Sequence, residues 1–333
     1  MPELSIIIIN YKSAQLISNC IQSIYEQNSS FNFEIIVVDN DSKDGSKERI
    51  LGLFPKIIWI EMNYNSGFAR ANNEGIRQSN SNVVLLLNGD TIIKNNAIEK
   101  CFNDFHFSEY VACGVQLLNP DRSPQISGNY AMKGGLNYLL PLPFIGNVLK
   151  SFANILNVKR PNVPDASGVV EVDWINGAFL MVKKPAIQKA GLMDEDFFLY
   201  AEEAEWCSRL KKAGKLCIYG DVNIIHLQGE TSNETFGSSG KGYMNLFDRK
   251  GLQIMLSNLV RIRKEFGVGW FVFILSVYTF EIPVFFIGTL IFKIFSSKKY
   301  SFSQVKNYAV NVCKIARLSP TIINAQPHFY KVL

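Results

Sequence analysis

The chain has 333 residues, 47% of them apolar and 12% aromatic, with a net charge of +5. This composition excludes a disordered chain and leaves ample apolar mass for one large or two smaller domains. The charge is unevenly divided: residues 1–240 hold 21 Lys and Arg against 26 Asp and Glu, whereas residues 241–333 hold 13 against 3. An acidic body and a basic tail predict that the tail meets an anionic surface, either membrane or nucleic acid. Met1 runs within a few residues into the apolar Ile6–Ile9 without a basic leader, so no secretory signal is expected. Six Cys without a Cys-x-x-Cys pair read as reduced thiols of a cytosolic chain. Three His, none beside a Cys pair, argue against zinc.

The first half alternates strand and helix signals. Leu4–Asn10 is a continuous apolar run, the pattern of a strand buried on both faces. Leu16, Cys20, Ile21 and Ile24 fall at helical spacing within residues 13–27. Glu34–Val38 is a second buried strand, ending at Asp39; residues 44–54 read as a helix and Ile57–Glu61 as a third strand. A helix over 66–79 and a strand over Val83–Leu87 follow, and the latter ends at Asn88-Gly89-Asp90. This order predicts an α/β fold with a parallel sheet covered by helices on both faces. Ligands of such sheets sit at the carboxyl ends of the strands. Here those ends read Asn10-Tyr11, Asp39-Asn40-Asp41 and Asn88-Gly89-Asp90, all polar.

Six prolines between Pro120 and Pro164 break the periodicity of residues 119–170. The segment reads as an irregular insertion, either shaping a pocket or making a surface excursion. Val169–Trp174 and Ala178–Val182 are strand candidates, and Pro185–Ala190 is a helix. An acidic run from Asp194 enters a helix that ends near Ala213, with Gly214 as its stop. Leu216–Gly220 and Val222–His226 resemble edge strands. Residues 251–266 put Leu252, Met255, Leu256 and Leu259 on one helical face. Residues 269–295 are strongly apolar, and 301–317 form a further helix.

Four groups carry chemistry. Asp39 and Asp41 can accept hydrogen bonds from a ribose diol or a base edge, though Asp-Ser-Lys-Asp-Gly is also a good turn. Asn88 and Asp90 flank a glycine and can hold a hard divalent cation, or form a plain Asn-Gly-Asp turn. Gly67 opens a helix whose amides can face an anion, beside Arg70; Asn72 and Asn73 are poor helix residues unless their amides have partners. Glu202, Glu203 and Glu205 are clustered carboxylates, which raise one another's pKa as a general base requires; in a first helical turn they also complement the dipole. His226 is a metal ligand or a structural histidine.

Together and in this order, the segments LSIIIINYKS, IIVVDNDSKDGS, NSGFARANNEGI, VVLLLNGDT, VDWINGAFLMVKK, DEDFFLYAEEAEWCSRLKKAG and IIHLQGETS resemble inverting glycosyltransferases of family 2, with the GT-A fold. The chain looks closest to the rhamnosyltransferase-like branch that builds bacterial surface polysaccharides. The resemblance spans residues 4 to about 233. It implies a GT-A catalytic domain over 1–240, with the 119–170 insertion on the acceptor side. Asn10, Tyr11, Asp39 and Asp41 would face the base and ribose of a nucleotide-diphosphate sugar, and Arg70 and Asn72 would lie beside the diphosphate. Asn88 and Asp90 stand where the family's metal-binding Asp-x-Asp lies, so Asp90 would carry the charge for a divalent ion (Mg or Mn), completed by His226. Glu202-Glu203 matches the family's Glu-Asp pair, whose second member is the base. Glu203 would therefore take the acceptor proton, with Glu205 as the competing choice. Trp174 and Gly177 would form pocket wall, although an aromatic there is equally ordinary core. A nucleotidyltransferase acting on sugar phosphates would need a Gly-rich basic loop after the first strand, which Asn10-Tyr11-Lys12-Ser13 is not. A non-catalytic membrane- and carbohydrate-binding scaffold would not need the Asp90 and Glu202-Glu203 carboxylates.

The tail, 241–333, has no nucleic-acid motif. Its apolar run is long enough to cross a bilayer, but Glu281 and Pro283 fall at its centre. A single crossing would also put Lys298 and Lys299 outside. Two helices bent at Glu281–Pro283 are expected, lying on the cytoplasmic face of the inner membrane as a peripheral or monotopic anchor. The competing reading packs these helices on the enzyme or on a second copy in a homodimer. The resemblance implies a glycan or lipid-linked acceptor.

Overall fold

Apolar runs become strands here because both faces of one sheet are covered. The structure is a computed structural model and describes every residue except 28, 159–160, 228–232, 234, 239–244, 296–298 and 333. In chain order the strands are β1 (Leu4–Asn10), β2 (Phe33–Asp39), β3 (Ile58–Glu61), β4 (Val83–Leu87), β5 (Thr91–Ile92), β6 (Ala112–Leu118), β7 (Gly128–Asn129), β8 (Asn162–Val163), β9 (Val169–Val172), β10 (Trp174–Ile175), β11 (Phe179–Lys183) and β12 (Leu216–His226). The helices are α1 (Ala14–Tyr25), α2 (Ser46–Leu53), α3 (Gly67–Gln78), α4 (Ala97–His106), α5 (Ile145–Ile155), α6 (Lys184–Ala190), α7 (Glu202–Leu210), α8 (Arg249–Phe266), α9 (Val268–Ile294) and α10 (Phe302–Asn324). The main sheet has the order β3-β2-β1-β4-β11-β6-β12-β5, with β9 also on β12. Strands β1 to β4 are mutually parallel, β6 and β12 share their direction, and β11, β9 and β5 oppose it. The fold is α/β with a mostly parallel sheet, as the strand–helix alternation predicts.

Successive side chains of β1 point to opposite faces. Ile6 and Ile8 join Val37 and Leu85 beneath Ile17 of α1 and Phe102 of α4. Ile7 joins Ile36, Val38 and Leu86 beneath Ile76 of α3 and Trp206 of α7. Both faces are dry, so only the strand ends reach solvent. Register aligns those ends, with Asn10 directly opposite Asp39 and Asp39 opposite Glu61.

Two expectations change. Leu216–His226 is one eleven-residue strand with an irregularity between Tyr219 and Asn223, paired on both sides rather than at an edge. Its apolar residues are split by Gly220-Asp221, which mimics a break. The Pro-rich 119–170 segment contains the regular helix α5, because residues 145–155 fall in a proline-free window.

The chain divides into two compact units. The first comprises Met1–Tyr130, Asn162–Phe198 and Glu202–Thr231; the second comprises Ala131–Pro161, Leu199–Ala201 and Ser232–Leu333. Within the second, α9 packs one stripe against α8, α10 and the 3-10 turn Lys133–Leu139. That stripe is Phe271, Ile274, Tyr278, Glu281, Phe285 and Thr289, at spacings of three and four. The expected division into two helices at Glu281–Pro283 is absent, and α9 runs through as one helix. Pro283 lies on the outward side, while the packed stripe is continuous on both sides of it. Glu281 is fully buried because it is partnered: its carboxylate accepts the backbone N–H of Phe144 at 2.7 Å and of Ile145 at 3.0 Å. These are orphan donors at the start of α5, where the helix dipole also favours negative charge. Replacing Glu281 by Ala should lower the unfolding free energy of the whole chain by about 2–4 kcal/mol, since two donors lose a charged acceptor. Urea denaturation followed by circular dichroism measures this.

Candidate active site

The site lies in the first unit, at the carboxyl ends of β1, β2 and β4 and the start of α7. Asn10 is fully buried and donates its amide to Asp39 Oδ1 at 2.6 Å and to Ser42 Oγ at 3.0 Å. The backbone N–H of Ser42 returns to Asp39 Oδ2 at 3.1 Å, and that of Lys12 donates to Ser42 Oγ at 2.9 Å. Ser42, which sequence reasoning passed over as a loop residue, therefore ties the two strand ends together. Tyr11 is half-buried with the Lys12 ammonium 5.5 Å from its ring centre. Asp41 points the other way from Asp39 in hydrogen-bonding terms, pairing with Lys43 at 3.0 Å. Lys12, Asp41 and Lys43 all hold left-handed backbone, at φ of 52°, 68° and 51°. Such strained conformations gather at functional loops.

Gly67 opens α3 with φ +77°, and a Cβ there would stand 2.2 Å from the Phe198 carbonyl oxygen. That oxygen accepts the Phe68 N–H at 2.8 Å. Only glycine fits this approach of α3 to the acidic run. Arg70 donates Nε to the Glu195 carbonyl at 2.9 Å. The two helix asparagines find the partners their position demands. Asn72 donates to the Phe68 carbonyl one turn back, and Asn73 exchanges hydrogen bonds with the Met193 backbone. Both are buried.

Asp90 and His226, 136 positions apart in sequence, meet because β12 pairs with β5. His226 lies opposite Thr91, with its Nε2 3.4 Å from Asp90 Oδ1. Gln125, from the Pro-rich segment, fixes the imidazole. Its amide nitrogen donates to the carbonyls of His226 and Leu118 and to Asn119 Oδ1, so its Oε1 is the atom 2.9 Å from His226 Nδ1. Nδ1 then donates to Gln125, which leaves Nε2 facing the Asp90 carboxylate. An imidazole nitrogen and a carboxylate oxygen are both cation ligands. No group of three metal-ligating side chains occurs among the described residues. Asn88 adjoins the pair and donates its N–H to the Ala178 carbonyl at 3.0 Å. The Gln228–Ser232 end of the last motif lies outside the described residues.

Helix α7 starts after Tyr200 and Ala201, both left-handed at φ of 71° and 66°. Its three glutamates diverge in environment. Glu205 is gripped at two points by Arg209, Nε to Oε1 and Nη2 to Oε2, each 2.7 Å. The i,i+4 spacing of this pair was visible in the sequence. Glu203 is buried beside Gly177, where a Cβ would stand 3.6 Å from its Cβ and Cγ. Gly177 thus lies in van der Waals reach of the Glu203 side chain. Glu202 is buried, and that burial, reinforced by the charge of Glu203, holds its carboxyl well above the ordinary value. Trp174 lies on β10 in a small sheet of β10, β7 and β8, half-buried against α7.

A sheet of this order with these flanking helices is the GT-A architecture of glycosyltransferases. Residues 5–169 match the family described as Glycosyl transferase family 2, and the chain carries a family 2 glycosyltransferase domain. It is 29% identical over 258 residues to the low-salt glycan biosynthesis hexosyltransferase Agl10 of Haloferax volcanii, covering 75% of each chain. It is 25% identical over 213 residues to the dTDP-rhamnosyl transferase RfbF of Shigella flexneri, covering 62% of this chain and 64% of that one. It is 23% identical over 208 residues to the N-acetylglucosaminyl-diphospho-decaprenol L-rhamnosyltransferase of Mycobacterium tuberculosis, covering 58% of this chain and 66% of that one. The chain thus spans somewhat under two thirds of the length of both rhamnosyltransferases. Among solved structures, the mannosyltransferase PcManGT of Pyrobaculum calidifontis, in complex with GDP-Man and Mn2+, superposes with a TM-score of 0.51. It does so at 12% identity, over 96% of this chain and 87% of that one. The protein is a glycosyltransferase, which displaces the nucleotidyltransferase and scaffold readings.

The raised carboxyl of Glu202 makes stability depend on pH. Above the ordinary value of 4.5 the folded chain holds a proton that the unfolded chain has released. Stability therefore falls as pH rises through that window. Glu202→Gln should unfold at the same temperature as wild type near pH 4.5 and at a higher one at pH 7. Thermal scans across that range measure the difference.

Proposed function

We propose that the chain is an inverting transferase that moves a sugar from a nucleotide-diphosphate donor to a hydroxyl of a glycan or lipid-linked acceptor. The rhamnosyltransferase relatives make rhamnose the first donor sugar to try. The observation that carries the reading is the sorting of the three α7 glutamates. Glu205 is neutralised by Arg209, burial and the charge of Glu203 raise the Glu202 carboxyl, and Glu203 lies beside Gly177. Glu203 is then the base. It takes the acceptor O–H proton while that oxygen attacks C1, the bond from C1 to the diphosphate oxygen breaks, and the anomeric configuration inverts.

Asn10, Tyr11, Asp39 and Asp41 are proposed to face the base and ribose, and Arg70 the diphosphate. Asn72 sits on the same helix, with its amide engaged one turn back. Asp90 and His226, with Asn88 adjoining, are proposed to hold a divalent cation. The facing acceptors Asp90 Oδ1 and His226 Nε2 support this, and so does the Mn2+ in the mannosyltransferase complex. When bound, the ion offsets the negative charge of the departing nucleoside diphosphate. Trp174 and Gly177 are proposed as acceptor-side wall.

The tail supports a location at the cytoplasmic face of the membrane. Helix α9 is long and apolar enough to cross a bilayer, with mean hydropathy 2.0, yet only 28% of that stretch is buried. Its packed stripe faces α8 and α10, which carry Arg261, Arg263, Lys306 and Lys314. Helices of that polarity suit an in-plane position with the outer face of α9 in lipid.

Glu203→Gln should lower the transfer rate by about 10²–10⁴-fold and leave nucleotide affinity unchanged. Single-turnover transfer and calorimetry on the same preparation separate the two; full activity removes Glu203 as the base. Asp90→Ala should abolish the Mn2+-dependent tightening of nucleoside-diphosphate binding, and titrations with and without the metal read this directly. Screening nucleotide sugars for donor hydrolysis identifies the sugar.

A further inference from the structure

Helix α5, inside the second unit, is amphipathic with its apolar side turned outward. At about 100° per residue, Val148, Phe152, Ile155 and Leu156 fall within an arc of roughly 100°, while Lys150 and Asn154 lie opposite. In a helix packed on its own core that stripe is covered. Here the four side chains are 53, 59, 73 and 72% exposed, and Gly146 is the only buried residue of the helix.

The start of α5 is nevertheless firmly held. Glu281 of α9 accepts the Phe144 and Ile145 N–H groups. The Phe144 ring lies over Gly288, where any Cβ would come within 2.3 Å of it, and 5.4 Å from the Phe292 ring centre. Anchoring at one end combined with an open apolar stripe is the arrangement of an element built to enter another phase. The same helix α9 exposes Phe280, Phe286, Ile287, Leu290 and Ile291. Charge names the phase: residues 145–160 contain Lys150, Lys159 and Arg160 and no Asp or Glu.

We propose that α5 is a second membrane-inserting element, its apolar stripe entering the headgroup–acyl boundary of an anionic bilayer. This rests on the membrane location proposed for the tail and extends it to a segment far from the tail in sequence.

The test uses the full chain, with Cys313→Ser removing the one exposed thiol; the other five cysteines are buried. An environment-sensitive fluorophore is attached at Phe152→Cys, Asn154→Cys or Ile287→Cys, and phosphatidylglycerol–phosphatidylcholine vesicles are added. A blue shift at 152 and 287 with little at 154 is expected. In sedimentation with the same vesicles, the double variant Phe152→Asp, Ile155→Asp should bind at least about tenfold more weakly. A shift at 287 without one at 152 overturns the role of α5 and leaves the tail reading standing. No shift at either position overturns both. A shift at 152 that appears without vesicles and follows protein concentration means that a second copy covers the stripe, which also overturns the proposal.

Discussion

A sheet that is dry on both faces leaves chemistry only at its ends. The apolar side chains of β1 are committed to one of two layers, and its one polar residue before Asn10, Ser5, is tied to Glu34 and Ser81, so the open polar groups appear where the strand stops. Parallel register then brings the ends of neighbouring strands side by side. Asn10 meets Asp39 for that reason, and the loops after β1 and β2 accept left-handed backbone to keep them there. The position of the site follows from how the core is buried.

Buried carboxylates form the second theme, and the protein treats them in different ways. Asp39 is satisfied by an amide and a backbone N–H, Glu205 by a two-point guanidinium, and Glu281 by the start of a helix. Glu202 Oε2 has no hydrogen-bond partner, and burial with the charge of Glu203 raises its carboxyl above the ordinary value. The same residue type therefore serves as strut, cap or raised-pKa neighbour according to its surroundings. Glu281 shows why apolar context misleads: in sequence it reads as a breach in a hydrophobic run, whereas in the fold it is the contact that starts α5.

Much of this was legible in advance, for physical reasons. Residues 83–87 have no polar side chain and, bounded by polar loops, read as a fully buried strand, which the structure shows over the same five positions. The glutamate run at the head of α7 and the polar strand ends were visible as motifs. Less was legible where chain order and spatial order part. The Val222–His226 half of β12 reads as an edge strand because Gly220-Asp221 interrupts it, and only pairing with β6 on one side and β5 on the other makes it internal. Gln125 gave no signal at all, since nothing in a Pro-rich stretch tells that its amide will orient a histidine 101 residues away.

By itself the sequence determined the α/β class, the polar strand ends and the family resemblance, because hydrophobic periodicity and short motifs are local properties. Only the tertiary structure decided that Asp90 faces His226, that Gln125 reaches that histidine, and that α9 stays one helix through Pro283 with its stripe packed on both sides. It also decided that the apolar stripe of α5 stays uncovered, since a helix cannot reveal from its own residues whether a neighbour will bury it. Each of these depends on contacts between distant segments, and such contacts exist only once the chain has folded.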